Sequence, residues 1–236
     1  MGGKKNESPR FYSGRHAMVS YANKDDIAVI ADCCQSFVVD NGAFSIWRRG
    51  GTLDINGYIE WVREWHRHPG FDWALIPDVI DGSEEENKKL VENWSSDIRG
   101  VPIWHFNESI DYLIFLAENF KFIAFGSAGE YSTVGTKKWW LRTQEALAAI
   151  CVNGQPITKI HGLRMLDPGI FTRIPFSSAD STNAVQNAGS LSRFGMYLPP
   201  SRGQRAEIIA ERIEQYNSAP CWLNEFQQED LFLCGQ

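Results

Sequence analysis

Three aspartates and two histidines stand where short apolar runs of this chain end. Asp40 closes Phe37-Val-Val-Asp40, Asp78 follows Ala74-Leu-Ile-Pro77, and Asp180 follows Phe176-Ser-Ser-Ala179. His105 closes Val101-Pro-Ile-Trp-His105, and His161 with Gly162 lies late in Thr158-Lys-Ile-His-Gly162. Gly126 follows Lys121-Phe-Ile-Ala-Phe125. One aspartate after a strand ordinarily caps a helix or forms a turn. Three from separate strands, joined by two histidines, define a candidate site. Carboxylates paired in one pocket suit displacement at the anomeric carbon of a sugar. One attacks that carbon or stabilises the positive charge building on it, and the other handles the proton of the leaving group or of incoming water. The pair works only if its two environments separate the pKa values.

The elements that must position these residues are legible from apolar spacing. Residues 54–67 carry Ile55, Tyr58, Ile59, Trp61, Val62 and Trp65 at helical spacing. Further helices are predicted over 83–97, where Ser83 and glutamates suit a helix start, and over 108–119, 136–152 and 204–216. Strands are predicted within 10–20 and over 37–40, 71–76, 101–105, 121–125, 157–163 and 174–179. An eighth strand is expected around 194–198. Strand and helix alternate, which implies βα units and a parallel sheet. A closed eight-stranded barrel and an open doubly wound sheet both satisfy that pattern. No Gly-rich phosphate loop follows the first strand, which favours the barrel. The expectation is an α/β chain: a flexible lead over 1–10, then a single compact (β/α)8 TIM-like barrel domain over 11–236. In a barrel all the strand ends named above face one mouth, the usual place of the active site.

Apolar residues make up 43% of the 236 and aromatics 13%, enough for one substantial core. The net charge of −6 and pI near 5.4 argue against a protein that coats nucleic acid non-specifically. They leave room for a local basic rim, with Arg48, Arg173, Arg202 and Arg205 as candidate contacts to a nucleic-acid backbone. Arg49, Arg164 and Arg193 are further rim candidates. No apolar run reaches about 18 residues and no signal peptide is visible, so a cytoplasmic protein without a membrane partner is expected. Cys33, Cys34, Cys151, Cys221 and Cys234 are irregularly spaced and include no C-x-x-C pair. Free thiols are expected, with no structural zinc.

Five segments resemble motifs of the tRNA-guanine transglycosylase superfamily, nearest the phage and bacterial branch that places 7-deazaguanines in DNA and related DNA glycosylases. Asp40-Asn-Gly-Ala-Phe-Ser-Ile-Trp47 resembles that family's Asp-Ser-Gly-Gly/Ala-Phe motif. Ile76-Pro-Asp-Val-Ile-Asp81 is similar to its base-recognition segment, and Phe125-Gly-Ser-Ala-Gly-Glu130 to its Gly-rich loop. His161-Gly-Leu-Arg-Met165 resembles its His-x-Leu-Gly strand, and Phe176-Ser-Ser-Ala-Asp-Ser-Thr182 its Ser-Val-Asp-Ser segment. The motifs follow the family's order across residues 37–182. The resemblance implies Asp180 as a covalent nucleophile, Asp40 as general acid/base and Asp78 as the reader of the base edge. It implies backbone contacts to the base near Gly126 and Gly129, and stacking on Phe44 or Trp47. His105, His161, Gly162 and Arg164 complete the candidate substrate-binding set. No cofactor and no metal is expected.

The chain departs from the family by lacking its zinc-binding cysteine segment and any appended RNA-binding domain, which shifts the expected substrate from tRNA to DNA. Asn41 stands where the family has Ser. The chain is also short for the family, which fits loss of the exchange half-reaction. Water would then complete the reaction, leaving an abasic site as a DNA glycosylase acting on a modified base, for instance in defence against phage. Base exchange with a free base, on DNA or RNA, stays open. Either chemistry requires the nucleotide to be flipped out of a duplex. Two rivals are a metal-dependent barrel hydrolase using His105, His161, Asp40 and Asp180, and a non-catalytic nucleic-acid-binding module.

Overall fold

Phe37 and Val39 are fully buried while Ser36, Val38 and Asp40 are half-buried, the alternation of a strand with one face on a core. That strand belongs to a computed structural model describing residues 8–80, 82–190, 194 and 198–223. Its elements begin α1 (Ser8–Tyr12), β1 (His16–Ser20), a 3-10 segment (Tyr21–Asp26), α2 (Ile27–Cys33) and β2 (Ser36–Asp40). They continue α3 (Ala43–Arg48), α4 (Ile55–Trp65), β3 (Phe71–Leu75), α5 (Glu84–Glu92), β4 (Gly100–Val101), β5 (Ile103–His105) and α6 (Ile110–Asn119). After β6 (Phe122–Gly126) come a 3-10 turn (Gly129–Tyr131), α7 (Lys137–Ile150), β7 (Cys151–Val152), β8 (Gln155–Pro156) and β9 (Lys159–Gly162). The last described elements are α8 (Pro168–Phe171), β10 (Ser178–Ala179), α9 (Asn183–Asn187) and α10 (Arg202–Glu214).

The chain divides into two compact units, Met1–Ile103 with Thr182–Arg212, and Trp104–Ser181 with Ile213–Gln236. The first unit is built on a parallel sheet ordered β1-β2-β3-β4. Its register pairs Ser20 with Asp40 and Leu75 with Val101. Ala17, Val19, Phe37, Val39 and Ala74 from the strands bury against Tyr58, Trp61 and Val62 of α4. Those three helix positions have i, i+3, i+4 spacing and so share one face. Asp54 caps α4 by accepting the Gly57 N–H at 3.0 Å, and a reciprocal capping box between Ser83 and Glu86 starts α5. Arg10 of α1 meets Glu207 of α10 at 2.8 Å.

The second unit carries a parallel sheet ordered β5-β6-β9-β10. Its register sets Ala124 beside His161 and Phe125 beside Gly162; across β9, His161 meets Ser178 and Gly162 meets Ala179. Ser109 caps α6 and Thr136 caps α7. Trp139, Thr143, Ala146, Leu147 and Ile150 form the buried stripe of α7. Phe106 stacks on Trp139 with ring centroids 5.4 Å apart, and Trp104 lies 5.2 Å from both Phe106 and Phe125. β7 and β8 form an antiparallel hairpin turned by Asn153 (φ 52°) and Gly154 (φ 77°). Two central residues with positive φ are the mark of a tight primed turn.

Two parallel sheets with interleaved helices make this a mixed α/β protein, as the alternation predicts. Several boundaries differ from the sequence expectation. The helix of 83–97 stops at Glu92, because Asn93 returns its amide to Lys89 O (2.7 Å) and the Trp94 indole N–H bonds Ile98 O (3.0 Å). The strand of 174–179 shrinks to Ser178–Ala179, since Pro175 has no N–H and Phe176 N–H turns back to Ile174 O at 2.8 Å. Lys159, and not Ile157, opens β9, because Gln155 and Pro156 pair with β7. Residues 195–197 of the expected eighth strand lie outside the described residues. Cys33, Cys34, Cys151 and Cys221 are free, and Cys234 lies outside the described part. No described helix is long and apolar enough to cross a membrane.

Candidate functional site

In the second unit, the ends of β9 and β10 place three polar side chains in a row. Ser178 and Asp180 are two residues apart and so lie on one face of their strand, level with His161 on the neighbour. Ser178 Oγ is 2.8 Å from His161 Nδ1, and His161 Nε2 is 3.4 Å from Asp180 Oδ1. The Ser178 hydroxyl and His161 Nδ1 share a hydrogen bond, while Nε2 faces the Asp180 carboxylate without forming one. The Arg164 backbone N–H donates to the same Asp180 Oδ1 at 2.9 Å. Arg164 adopts φ 61°, a left-handed conformation uncommon outside glycine, which turns that N–H onto the carboxylate. Asp180 is further tied by its own N–H to Gly162 O (3.2 Å) and by its carbonyl to Leu166 N–H (3.0 Å). Its Oδ2 has no hydrogen-bond partner among the described residues. The Asp180 side chain is 24% exposed and that of His161 only 3%. A Cβ at Gly162 would stand 2.8 Å from the Phe176 ring, so glycine there lets β9 approach its neighbour.

His105, at the end of β5, is buried beside a buried Glu108. Glu108 Oε2 accepts the His105 N–H at 2.7 Å, and the Glu108 N–H donates to His105 O at 2.8 Å. Arg142 Nε donates to Phe106 O at 2.8 Å and its Nη2 donates to Glu108 O, closing the loop. Gly126 ends β6 and accepts the Phe106 N–H at 2.9 Å. Gly129 opens the 3-10 turn with φ 54°.

In the first unit the strand ends hold a second polar group. Asn41, 2% exposed, donates from Nδ2 to Asp78 Oδ1 at 2.6 Å and to Ile76 O at 3.3 Å. Its Oδ1 accepts the Ala43 N–H at 2.8 Å. Asp78 is 6% exposed. Tyr58 donates to Leu75 O at 2.7 Å, and burial pushes its phenol well above the usual tyrosine range, with the Asp40 and Asp78 carboxylates adding to the shift. Asp40 ends β2, and Gly42 follows with φ 75°. A Cβ at Gly42 would come within 2.8 Å of Ala22 N, so only glycine fits.

The structure thus gathers His161, Gly162, Arg164 and Asp180 in one cluster, and in the first unit links Asp78 to Asn41. Arg48 lies over the Phe44 ring at 5.9 Å on α3, and the side chain of Trp47 lies outside the described part. Arg173 lies over Trp140 at 5.8 Å. Arg202 Nη2 donates to Val185 O at 3.3 Å and Arg205 Nη1 to Pro199 O at 3.4 Å. The Arg205 Nε is buried with no hydrogen-bond partner among the described residues. Arg193 and Asp81 fall outside those residues. No group of three or more His, Cys, Asp or Glu side chains is gathered for a metal among them. A cleft of about 460 Å³ opens at the N-terminal ends of β6, β9 and β10, lined by Lys121, Gln155, Lys159 and Ser177; these strands carry their polar cluster at the opposite ends. Sequence reasoning passed over Ser178, Tyr58, Glu108 and Arg142. The two-residue spacing of Ser178 from Asp180 was the available signal for the first.

Fold and site together define a mixed α/β protein with polar clusters at the C-terminal ends of parallel strands. No protein-family model matches the chain, and no curated protein matches it. A solved structure from Aquifex aeolicus VF5 aligns over 89% of this chain and 93% of its own, at 11% identity and a TM-score of 0.44. A likeness of that degree carries no argument about function.

Proposed function

We propose that the chain cleaves the bond between a nucleobase and its sugar, acting on a modified base flipped out of DNA, with Asp180 as nucleophile and Asp40 as acid/base. What carries the reading is the state of Asp180. One oxygen accepts the Arg164 N–H at the end of a strand with the His161 ring 3.4 Å away, and the other has no hydrogen-bond partner among the described residues. A carboxylate fixed in this way presents one oxygen to an electrophile without a cost of orientation at the moment of attack.

Asp180 Oδ2 bonds to C1′ as the C1′–N bond breaks, and Asp40 gives its proton to the departing base. Asp40, now a carboxylate, takes a proton from water, whose oxygen attacks C1′ and releases Asp180. A base in place of that water gives exchange. His161 and Ser178 hold the nucleophile, and Asp78 reads the base edge. We further propose that the two sheets are arcs of one (β/α)8 barrel; their strands run in chain order, and β4 and β5 are separated by Pro102 alone. Cytoplasmic action against phage DNA fits a reaction that leaves an abasic site.

The test is incubation with normal and phage-modified DNA, followed by mass spectrometry of released bases and abasic sites. Base release should fall by roughly 10²–10⁴-fold in Asp40→Asn, the typical worth of a positioned acid or base. In Asp180→Asn it should fall at least as far while DNA binding persists. Release from no DNA, or undiminished release by Asp180→Asn, overturns the proposal.

A further inference from the structure

The group formed by Asn41 and Asp78 uses the whole hydrogen-bonding capacity that distinguishes an amide from a carboxylate. The Asn41 Nδ2 donates twice, to Asp78 Oδ1 at 2.6 Å and Ile76 O at 3.3 Å, while Oδ1 accepts from Ala43 N–H at 2.8 Å. Serine has one hydroxyl proton and aspartate has no donor when ionised, so neither serves all three partners. Nor can the amide turn over, because exchanging its O and N would face an N–H against the Ala43 N–H and an oxygen against two acceptors. The backbone is fixed as well. Gly42 is held at φ 75° with Ala22 N against it, and Asn41 closes a local turn onto residue 43. Asn41 and Asp78 are 2% and 6% exposed, so water does not replace these contacts cheaply.

We infer that Asn41 is the positioning residue for Asp78. It fixes the rotation of that carboxylate, and thereby which face of a ligand carrying adjacent N–H donors Asp78 can engage. The inference rests on the base-reading role proposed for Asp78. Tyr58 feels both the Asp78 and the Asp40 carboxylate, and Tyr58 and Asp40 stay in place in the variants below.

Four full-length proteins test it: wild type, Asn41→Asp, Asp78→Asn, and the exchange Asn41→Asp with Asp78→Asn. Guanine as the free base is the probe, titrated calorimetrically at pH 5.5 and pH 8, with thermal melting of each protein alongside. In Asn41→Asp two carboxyls meet at hydrogen-bonding distance and can share that contact only while they hold a proton between them. Its melting point should therefore fall below wild type at pH 8 and recover toward it at pH 5.5. Guanine affinity should drop at least tenfold at pH 8 and recover in the same direction. The exchange restores an amide–carboxylate contact with its polarity reversed, so its melting point should return at both pH values. Its guanine binding should stay lost, as in Asp78→Asn, because the carboxylate now stands at position 41. Wild-type binding in Asn41→Asp at pH 8, or in the exchange, overturns the inference while leaving the base-cleaving reading intact. Wild type that binds no guanine overturns the base-reading role itself.

Discussion

At the scale of single residues, the candidate site was legible where position alone gave it away. Asp40, Asp78, His161 and Asp180 were visible as polar residues ending apolar runs. Ser178 was not, because serine is common at strand ends and only the register with His161 gives it meaning. The same holds for Asn41, whose value lies in two residues 35 and 37 positions away. Ser178→Ala tests the row of side chains directly. It leaves a buried ring nitrogen without its hydrogen-bond partner, which should cost about 1 kcal/mol in chemical denaturation. Base release should slow by about tenfold, less than in Asp180→Asn, because the Arg164 N–H still holds the carboxylate. Unchanged denaturation and unchanged release would show that Ser178 does not steady His161. The Arg164 contact comes from backbone, so substitutions of that side chain leave it in place.

At the scale of elements, long amphipathic helices and β-branched strands were read well. α4 buries Tyr58, Trp61 and Val62 of the face its spacing gave, α7 falls within the range expected for it, and β2 is the β-branched strand its sequence suggests. Short elements were missed. α2, α3 and the β7–β8 hairpin are too brief to show a period, and α8 spans one turn started by Asp167 and Pro168. The hairpin nevertheless carries a sharp prediction. Gly154 has φ 77°, and a Cβ there would sit 2.7 Å from Trp222 O, whose residue also donates its N–H to Gly154 O at 2.7 Å. Gly154→Ala should lose roughly 1–3 kcal/mol through backbone strain and this close contact. Urea titration reads the loss; a midpoint matching wild type would place the turn elsewhere.

At the scale of the whole molecule, the alternation of strand and helix revealed the fold class, whereas the division into two units left no mark on composition or linkers. The pH response is also a property of the whole chain. Burial pushes the Cys151 thiol up to about 11 and the Tyr12 phenol up to about 12, and raises Tyr58 well above its usual range. Each group holds its proton more tightly folded than unfolded. The stability they contribute is full below their unfolded values of 9.0 and 10.0 and is lost as pH rises through the folded ones. The melting temperature should therefore decline steadily from about pH 9 to about pH 12, with a smaller decline in Tyr58→Phe relative to its own value at pH 8. A melting temperature level across that range would contradict the burial of these groups. The order of synthesis follows from the same division. Neither unit is continuous: the first takes up residues 1–103 and then 182–212, the second 104–181 and then 213 onward. When the ribosome has translated the last strand of the first unit's sheet, Gly100–Val101, helix α10 is still about a hundred residues from translation, about 5–20 s of elongation. Every nascent chain therefore passes through an interval in which residues 104–181 of the second unit are being made while the first unit still lacks its 182–212 segment.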